Sequence, residues 1–284
     1  MTNAETGRHW ADSASGWVEN ESIFDAIFAP VTRAILDAVD MSEGQRVLDV
    51  GCGTGTLLAA AAAAGAAAVG VDIAPGMVAA AAARAPAATV LLGDAQVMDL
   101  AAAAPGPPFD RVVSRFGVMF FADPVAAFAN LRRVAAGEAH LVFACWRTFD
   151  ENPMFTLGTS VLAERLDPRP EPPEPNEPGP TAFADSDRLA GLLTDAGWAS
   201  VNMTPLDVTL DYGFDGDDGV EQRLATVLSV TTGRTARETL QPALTPEAWA
   251  ELLEEVRAEL RRHLVDGAVK VPAALWLVMA TNPS

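Results

Sequence analysis

Residues 47–55, VLDVGCGTG, constrain the fold more than any other stretch of the chain. Residues 46–50 read as a short buried strand, because their apolar side chains do not alternate with polar ones on a solvated face. Gly51, Gly53 and Gly55 follow at once, and an alanine-rich helix begins near Thr56. Glycines placed between strand and helix let backbone approach a ligand that side chains would block. The amides at the helix N-terminus are then expected to face polar ligand atoms.

The same alternation continues downstream. Residues 69–73, 89–92, 110–114 and 139–146 read as strands. Residues 75–85 read as a helix, and Asp123-Pro124 opens another that Gly137 is expected to close. Strand and helix in regular turn predict a parallel sheet wound on both faces. Residues 22–39 carry a helical apolar stripe that Pro30 should split in two. Trp10 and Trp17 precede it, too aromatic a segment for a mere tail.

Beyond Trp146 the pattern loosens. Residues 168–180 hold seven prolines and three glutamates, which forbids a helix or a central strand and leaves an extended or mobile loop. Residues 186–196 read as a helix capped by Ser186 and stopped by Gly197, and 201–210 as a strand. Residues 220–266 read as mostly helical, with Thr245 as a cap and Trp249, Leu252, Leu253, Val256, Leu260 and Leu264 on one face. Residues 273–280 read as a final buried strand.

The whole chain has 284 residues and a formal net charge of −19. So acidic a surface repels phosphate backbones and anionic lipid, so neither nucleic acid nor membrane is expected as a partner. Cys52 and Cys145 match no disulfide or zinc spacing, and no metal is expected. The polar N-terminus lacks the apolar core of a signal peptide, and the expected location is the cytoplasm.

Two readings of the glycine turn compete. A dinucleotide-binding turn follows G-x-G-x-x-G, and here its last glycine is replaced by Thr56. The spacing G-x-G-x-G after Asp49 instead resembles the first motif of class I S-adenosylmethionine-dependent methyltransferases. Residues 109–134, FDRVVSRFGVMFFADPVAAFANLRRV, resemble those of the group related to ubiquinone and menaquinone biosynthesis methyltransferases and natural-product methyltransferases. The likeness runs over residues 15–150 and more loosely over 183–210. It departs at Ala135-Ala136-Gly137-Glu138, where the family usually has Arg-Pro-Gly-Gly.

The resemblance implies an α/β Rossmann-like fold. Its seven-stranded, mostly parallel sheet would have helices on both faces, N-terminal helices and a helical insertion before the last strand. The chain then divides into an N-terminal helical cover (1–40), a cofactor-binding core (41–150), a segment of Pro-rich loop, helix and strand six (151–214), a helical lid (215–266) and the last strand (267–284). The implied cofactor is S-adenosyl-L-methionine and the implied partner a small-molecule substrate, with oxygen or carbon as methyl acceptor. The cofactor-binding set is Asp49, Gly51, Cys52, Gly53, Thr54, Gly55, Asp72, Ile73, Met77, Gly93, Asp94, Ala95, Ser114, Arg115, Phe116 and Trp17.

Asp72, at the end of the second strand, has the chemistry to accept hydrogen bonds from vicinal ribose hydroxyls. Phe24, Phe120 and Trp146 are expected to line the substrate pocket, although Phe24 also suits plain helix-on-sheet packing. His9 and Arg115 are the candidate catalytic residues. Arg115 either holds an anionic substrate group or pairs with a nearby Asp. His140 is expected to be packed in its strand, and His263 to sit at a helix end. Two rivals remain, an NAD(P)-dependent oxidoreductase and a non-catalytic S-adenosylmethionine-binding protein.

Overall fold

The computed structural model describes residues 3–171, 174 and 176–284. Part of the Pro-rich stretch, residues 172, 173 and 175, lies outside the described residues, as do residues 1 and 2. Three helices open the chain: α1 (Asn3–Glu19), α2 (Glu21–Ile27) and α3 (Ala29–Val39). Pro30 sits in the first turn of α3, where its missing N–H costs nothing.

The alternating region follows as β1 (Arg46–Val50), α4 (Thr56–Ala63), β2 (Ala67–Asp72), α5 (Pro75–Arg84) and β3 (Thr89–Leu92). It continues through α6 (Leu100–Ala103), β4 (Phe109–Arg115), a 3-10 turn at Gly117–Phe120, α7 (Pro124–Val134) and β5 (Ala135–Trp146). The remainder comprises a 3-10 turn at Pro153–Phe155, α8 (Thr159–Ala163), α9 (Ser186–Asp195) and β6 (Ala199–Asp211). Last come α10 (Val220–Ser229), α11 (Thr231–Thr239), α12 (Pro246–Arg262), β7 (Leu264–Val265) and β8 (Ala268–Thr281).

The strands form one sheet in the order β3-β2-β1-β4-β5-β8-β6, with the two-residue β7 beside β8. β3, β2, β1, β4 and β5 run parallel. β8 enters antiparallel between β5 and β6. Val47, Leu48, Val112, Val113, Leu141 and Phe143 of the central strands are buried on both faces of the sheet. Each such side chain stabilises the fold by roughly 1.5–3 kcal/mol over exposure.

Several sequence expectations are corrected. α7 stops at Val134 rather than Gly137, because Asn282 Nδ2 donates to the carbonyls of Ala135 and Ala136 and draws that segment into β5. Asp185, not Ser186, caps α9 and accepts from the Arg188 amide at 3.0 Å. β6 and β8 outrun their expected bounds because they pair with each other from Ala199↔Thr281 to Asp211↔Lys270, beyond the reach of β5. The last helix ends at Arg262, since Leu264 and Val265 turn back to pair with Val269 and Ala268. His140 lies in β5 but is exposed rather than packed. His263 is the exposed C-cap of α12, its Nδ1 2.9 Å from the Glu259 carbonyl.

Two contacts tie the N-terminal helix to both halves of the molecule. Ala14 of α1 packs on Ala74 and Met77, with Trp10, Trp17 and Val18 around them. At its other end, Asn20 Nδ2 donates to Ser229 Oγ of α10 at 2.9 Å. Among the described residues no helix is long and apolar enough to cross a membrane.

Candidate functional site at the C-terminal edge of the parallel strands

The turn between β1 and α4 lies where parallel strands of an open α/β sheet bind ligands, at the crevice beyond their carboxyl ends. Its glycine amides are not free, contrary to the sequence expectation. Gly51 N and Cys52 N both donate to the Val71 carbonyl, at 2.9 and 3.1 Å. Gly53 N donates to Asp72 Oδ2 at 2.9 Å, and Gly55 N to the Cys52 carbonyl at 2.9 Å. The turn folds over the end of β2 because its buried donors must find acceptors.

The glycines also have different reasons to be there. At Gly51, with φ +64°, an added Cβ would lie 2.6 Å from Gly117 Cα, so two backbones cross there in contact. At Gly53, with φ +53°, an added Cβ would meet nothing within 4 Å. Gly51 serves the fold, whereas Gly53 borders open space.

Two carboxylates flank this turn, Asp49 buried and Asp72 half-buried. Asp49, at the end of β1, is 2% exposed, and its Oδ1 has no partner among the described residues. Burial raises its pKa to about 7, with the charge of Arg115 opposing and that of Asp72 adding to the rise. Asp72 Oδ1 accepts from Ala74 N at 2.9 Å, while Oδ2 takes the Gly53 amide. Burial raises the Asp72 pKa as well, and these backbone donors pull it back. Burial first, and then the charges of Asp49 and Asp72, push the Cys52 thiol up and leave it unreactive. Thr54 is half-buried on the turn.

The flanking positions are close by. Ile73 meets α1 at Gly7, and Met77 is buried beneath the same helix. Gly93 N donates to the Asp72 carbonyl at 2.9 Å, which brings the β3 loop alongside β2. Asp94 Oδ1 accepts from Gln96 N at 2.9 Å. The Ala95 carbonyl accepts from Asn130 Nδ2 at 2.9 Å, fixing that loop on α7.

At the end of β4, Ser114 Oγ donates to the Val50 carbonyl at 2.7 Å and accepts from Gly117 N at 3.1 Å. Ser114 therefore clips the β1 and β4 loops together. Phe116 follows with φ +70°, an unusual conformation for a bulky residue. Its ring stacks on Trp146 at 4.8 Å, with Phe28 edge-on to both. Trp17 stacks on Phe24 at 3.9 Å, and Trp10 meets Phe120 edge-on at 5.0 Å. Phe24 lies between Trp17 and Phe28 and is only 3% exposed, so its ring belongs to the core behind this aromatic group.

Arg115 does not stand free to meet a substrate. Its Nη1 donates to Thr32 Oγ1 at 2.7 Å, and its Nη2 lies 3.6 Å from Asp25 Oδ1. Asp25 also accepts from Thr56 Oγ1 at 2.7 Å and pairs with Arg84 at 2.7 Å. Thr56, the residue that breaks the dinucleotide pattern, thus anchors the start of α4 to α2. Sequence reasoning missed Asp25 and Arg84, because no local spacing links residues so far apart in the chain.

His9 is half-buried and meets Trp10 edge-on at 5.7 Å. Its pKa is lowered by burial first, then by the charge of Arg234, with Asp12 opposing. Arg234, in α11, was also missed. Its Nε and Nη1 are buried and have no partner among the described residues.

The sheet order and the glycine turn define a Rossmann-like methyltransferase fold. Residues 48–143 match the family model of the methyltransferase domain. Over 149 residues the chain is 32% identical to aklanonic acid methyltransferase DauC of Streptomyces sp. (strain C5), covering 50% of this chain and 64% of that one. It is 34% identical to a demethylmenaquinone methyltransferase of Beutenbergia cavernae, covering 61% of this chain and 74% of that one. Among solved structures, the YcgJ protein of Bacillus subtilis superposes with a TM-score of 0.55 at 14% identity, covering 89% of this chain and 98% of that one. The chain belongs to the class I S-adenosylmethionine-dependent methyltransferases.

The residues present fit that cofactor. A buried carboxylate oxygen without a partner, Asp49 Oδ1, suits an ammonium group. Open space at Gly53 lies beside a second, half-buried carboxylate, Asp72, of the kind that accepts from a ribose diol.

Proposed function

We propose that the chain methylates a small-molecule acceptor at oxygen or carbon, in the space bounded by the glycine turn, the end of β4 and the aromatic side chains of α1. The observation that carries this reading is the opening at Gly53 beside Asp72, in the turn that follows the unpartnered Asp49 Oδ1. S-adenosylmethionine supplies, when bound, a methyl carbon activated by a sulfonium. Asp72 accepts from the ribose hydroxyls through lone pairs that Gly53 N and Ala74 N leave open. Asp49 faces the ammonium, helped by turn carbonyls rather than by the glycine amides. Gly93, Asp94 and Ala95 run along the adenine, with Ile73 and Met77 behind it. Cys52, Thr54 and Gly55 shape the turn, and Ser114 holds it against the β4 loop.

The protein's own work is mostly placement. Trp10, Trp17, Phe116 and Phe120 exclude water and hold an apolar acceptor, with the buried Trp146 backing Phe116, and orientation of this kind supplies much of the rate. His9 stays neutral near pH 7, because burial and Arg234 hold its pKa below the ordinary value, so its imidazole is available to take a proton. Arg115 acts as a positioning residue, fixed by Asp25 and Thr32. The relatives named for aklanonic acid and demethylmenaquinone carry acceptor names of the small-molecule kind, which supports the same class here.

Isothermal calorimetry with S-adenosylhomocysteine and with NADH tests the reading. The former should bind in the micromolar range and the latter give no heat. The opposite pattern would favour the oxidoreductase. Binding without transfer of labelled methyl to any acceptor in a broad panel would favour the non-catalytic alternative.

A further inference from the structure

Arg234 is half-buried in α11 and differs from the other enclosed arginines in how its donors are met. Arg223 is more deeply enclosed and its Nε also lacks a partner among the described residues, yet its two terminal nitrogens donate to the carbonyls of Met154 and Leu157 and to the Tyr212 hydroxyl. Arg115 has Asp25 and Thr32. Arg234 Nε and Nη1 are shut off from solvent and meet no acceptor among the described residues. An arginine stays charged at any physiological pH, so such an arrangement is costly unless a bound group completes it.

Its neighbours say where that group would lie. Arg234 is near enough to His9 for its charge to disfavour protonation of the imidazole. His9 adjoins Trp10, whose ring meets Phe120 edge-on at 5.0 Å and Trp17 at 6.0 Å. Phe120 closes the 3-10 turn that follows β4, at the edge of the site. One helix turn before Trp10, Thr6 Oγ1 is also buried without a partner among the described residues. A guanidinium and a hydroxyl in want of acceptors thus stand close to an aromatic wall. The chain as a whole carries a net charge of −19 and Asp12 also acts on His9 here, so the guanidinium of Arg234 is the group that would admit an anion.

We infer that Arg234 is a specificity residue that binds an anionic oxygen group, of the carboxylate class, on a planar apolar acceptor. This rests on the methyltransferase reading of the adjoining site and names its substrate class. The group it binds is a handle, not the atom that receives the methyl, because a guanidinium paired with the nucleophilic oxygen would reduce its nucleophilicity. Planarity and bidentate donors suit a guanidinium to a carboxylate, so lysine replaces it only in part.

The test uses 1-naphthoate and 1-naphthamide, probes of one shape that differ in charge, titrated into the full chain saturated with S-adenosylhomocysteine. Naphthoate should bind at least tenfold more tightly than naphthamide. Arg234→Met should abolish that preference, and Arg234→Lys should retain part of it. In the absence of ligand, Arg234→Met should melt at the same temperature or higher, since it removes two buried donors that meet no acceptor among the described residues. Equal binding of the two probes, binding of neither, or a preference that survives in Arg234→Met would overturn the inference. A lowered melting temperature of Arg234→Met without ligand would do so too, by showing a structural partner. Titration of S-adenosylhomocysteine alone comes first: if it fails to bind the unaltered protein, the methyltransferase reading falls and takes this inference with it. If it binds and the probes are not distinguished, only this inference falls.

Discussion

Asp25, Thr56, Arg84 and Arg115, where α2 meets the glycine turn, satisfy one another, whereas Thr6 and Arg234 in α1 and α11 bury polar atoms that meet no partner among the described residues. Both groups lie close to the same site. In the first, each charge has its partner within the fold, so the network sets where α2 stands against α4. In the second, the fold leaves donors unmatched, and ligand binding is the way to match them. The glycine turn shows the same division within a few residues, since Gly51 is closed by Gly117 while Gly53 faces space. On this inference, satisfied groups near the site are architecture, and the unsatisfied Arg234 and Thr6 are where a ligand is expected.

The sharpest way to break this comparison is at the two glycines. Gly51→Ala places a Cβ 2.6 Å from Gly117 Cα at a positive φ, and the backbone cannot yield without shifting the β4 loop. We expect a loss of about 3 kcal/mol or more in urea denaturation, from overpacking and a left-handed backbone together. Gly53→Ala meets no protein atom, so its stability should fall by only about 1–2 kcal/mol, from the backbone term alone. Its affinity for S-adenosylhomocysteine should nevertheless fall about a hundredfold, since the new methyl enters the ligand's space. Equal stability losses with intact binding in Gly53→Ala would end the distinction.

Arg115→Met comes next. It strips Asp25 of one partner and removes a positive charge that acts on Asp49. Asp25 keeps Arg84 and some solvent, so the loss should be about 2–3 kcal/mol, below the full cost of breaking a buried pair. Arg234→Met should show no such loss, and the two melting curves compared side by side sharpen the contrast. Were Arg115→Met as stable as the unaltered protein, the network would be ornament.

Asp72→Ala tests the mixed case, a carboxylate that has partners in the fold and lone pairs to spare. Calorimetry should show S-adenosylhomocysteine binding weakened by about 1.5–3 kcal/mol, the worth of charge-assisted hydrogen bonds. Unchanged affinity would remove Asp72 from the site.

The sequence carried the core of this picture because its signals are local. A strand run, a glycine turn and a helix follow one another in residues 46–63, and Asp72 ends the next strand, so spacing alone locates both. The same spacing misled about the amides, because Val71 and the Asp72 side chain, which consume them, come from a different strand. Arg115 was recognised but its alternatives stayed open, since Asp25 lies in another helix with no periodic relation to it. Arg234 was invisible, for an arginine in a polar helix looks like any solvated residue until tertiary packing buries it. The overlong β6 and β8 escaped for a related reason: each extends because the other does, and neither contains a signal that says so.

The smallest effect concerns Asp49, which shares Arg115 with the satisfied network yet keeps an oxygen unmatched. Its pKa in the folded protein, about 7, stands above the value of an unfolded aspartate. The ligand-free protein therefore has the associated stability in full below about pH 4, and loses it as pH rises through about 7. Urea denaturation across that window should show the decline, and Asp49→Asn should flatten it. Ligand binding runs the other way. An ammonium beside Asp49 favours the ionised carboxylate, so affinity for S-adenosylhomocysteine should rise about tenfold between roughly pH 6 and pH 8, as the ionised fraction grows. In Asp49→Asn that rise should vanish. A stability slope that remains in the variant would assign the titration to another group, and an affinity independent of pH in the unaltered protein would place the ammonium away from Asp49.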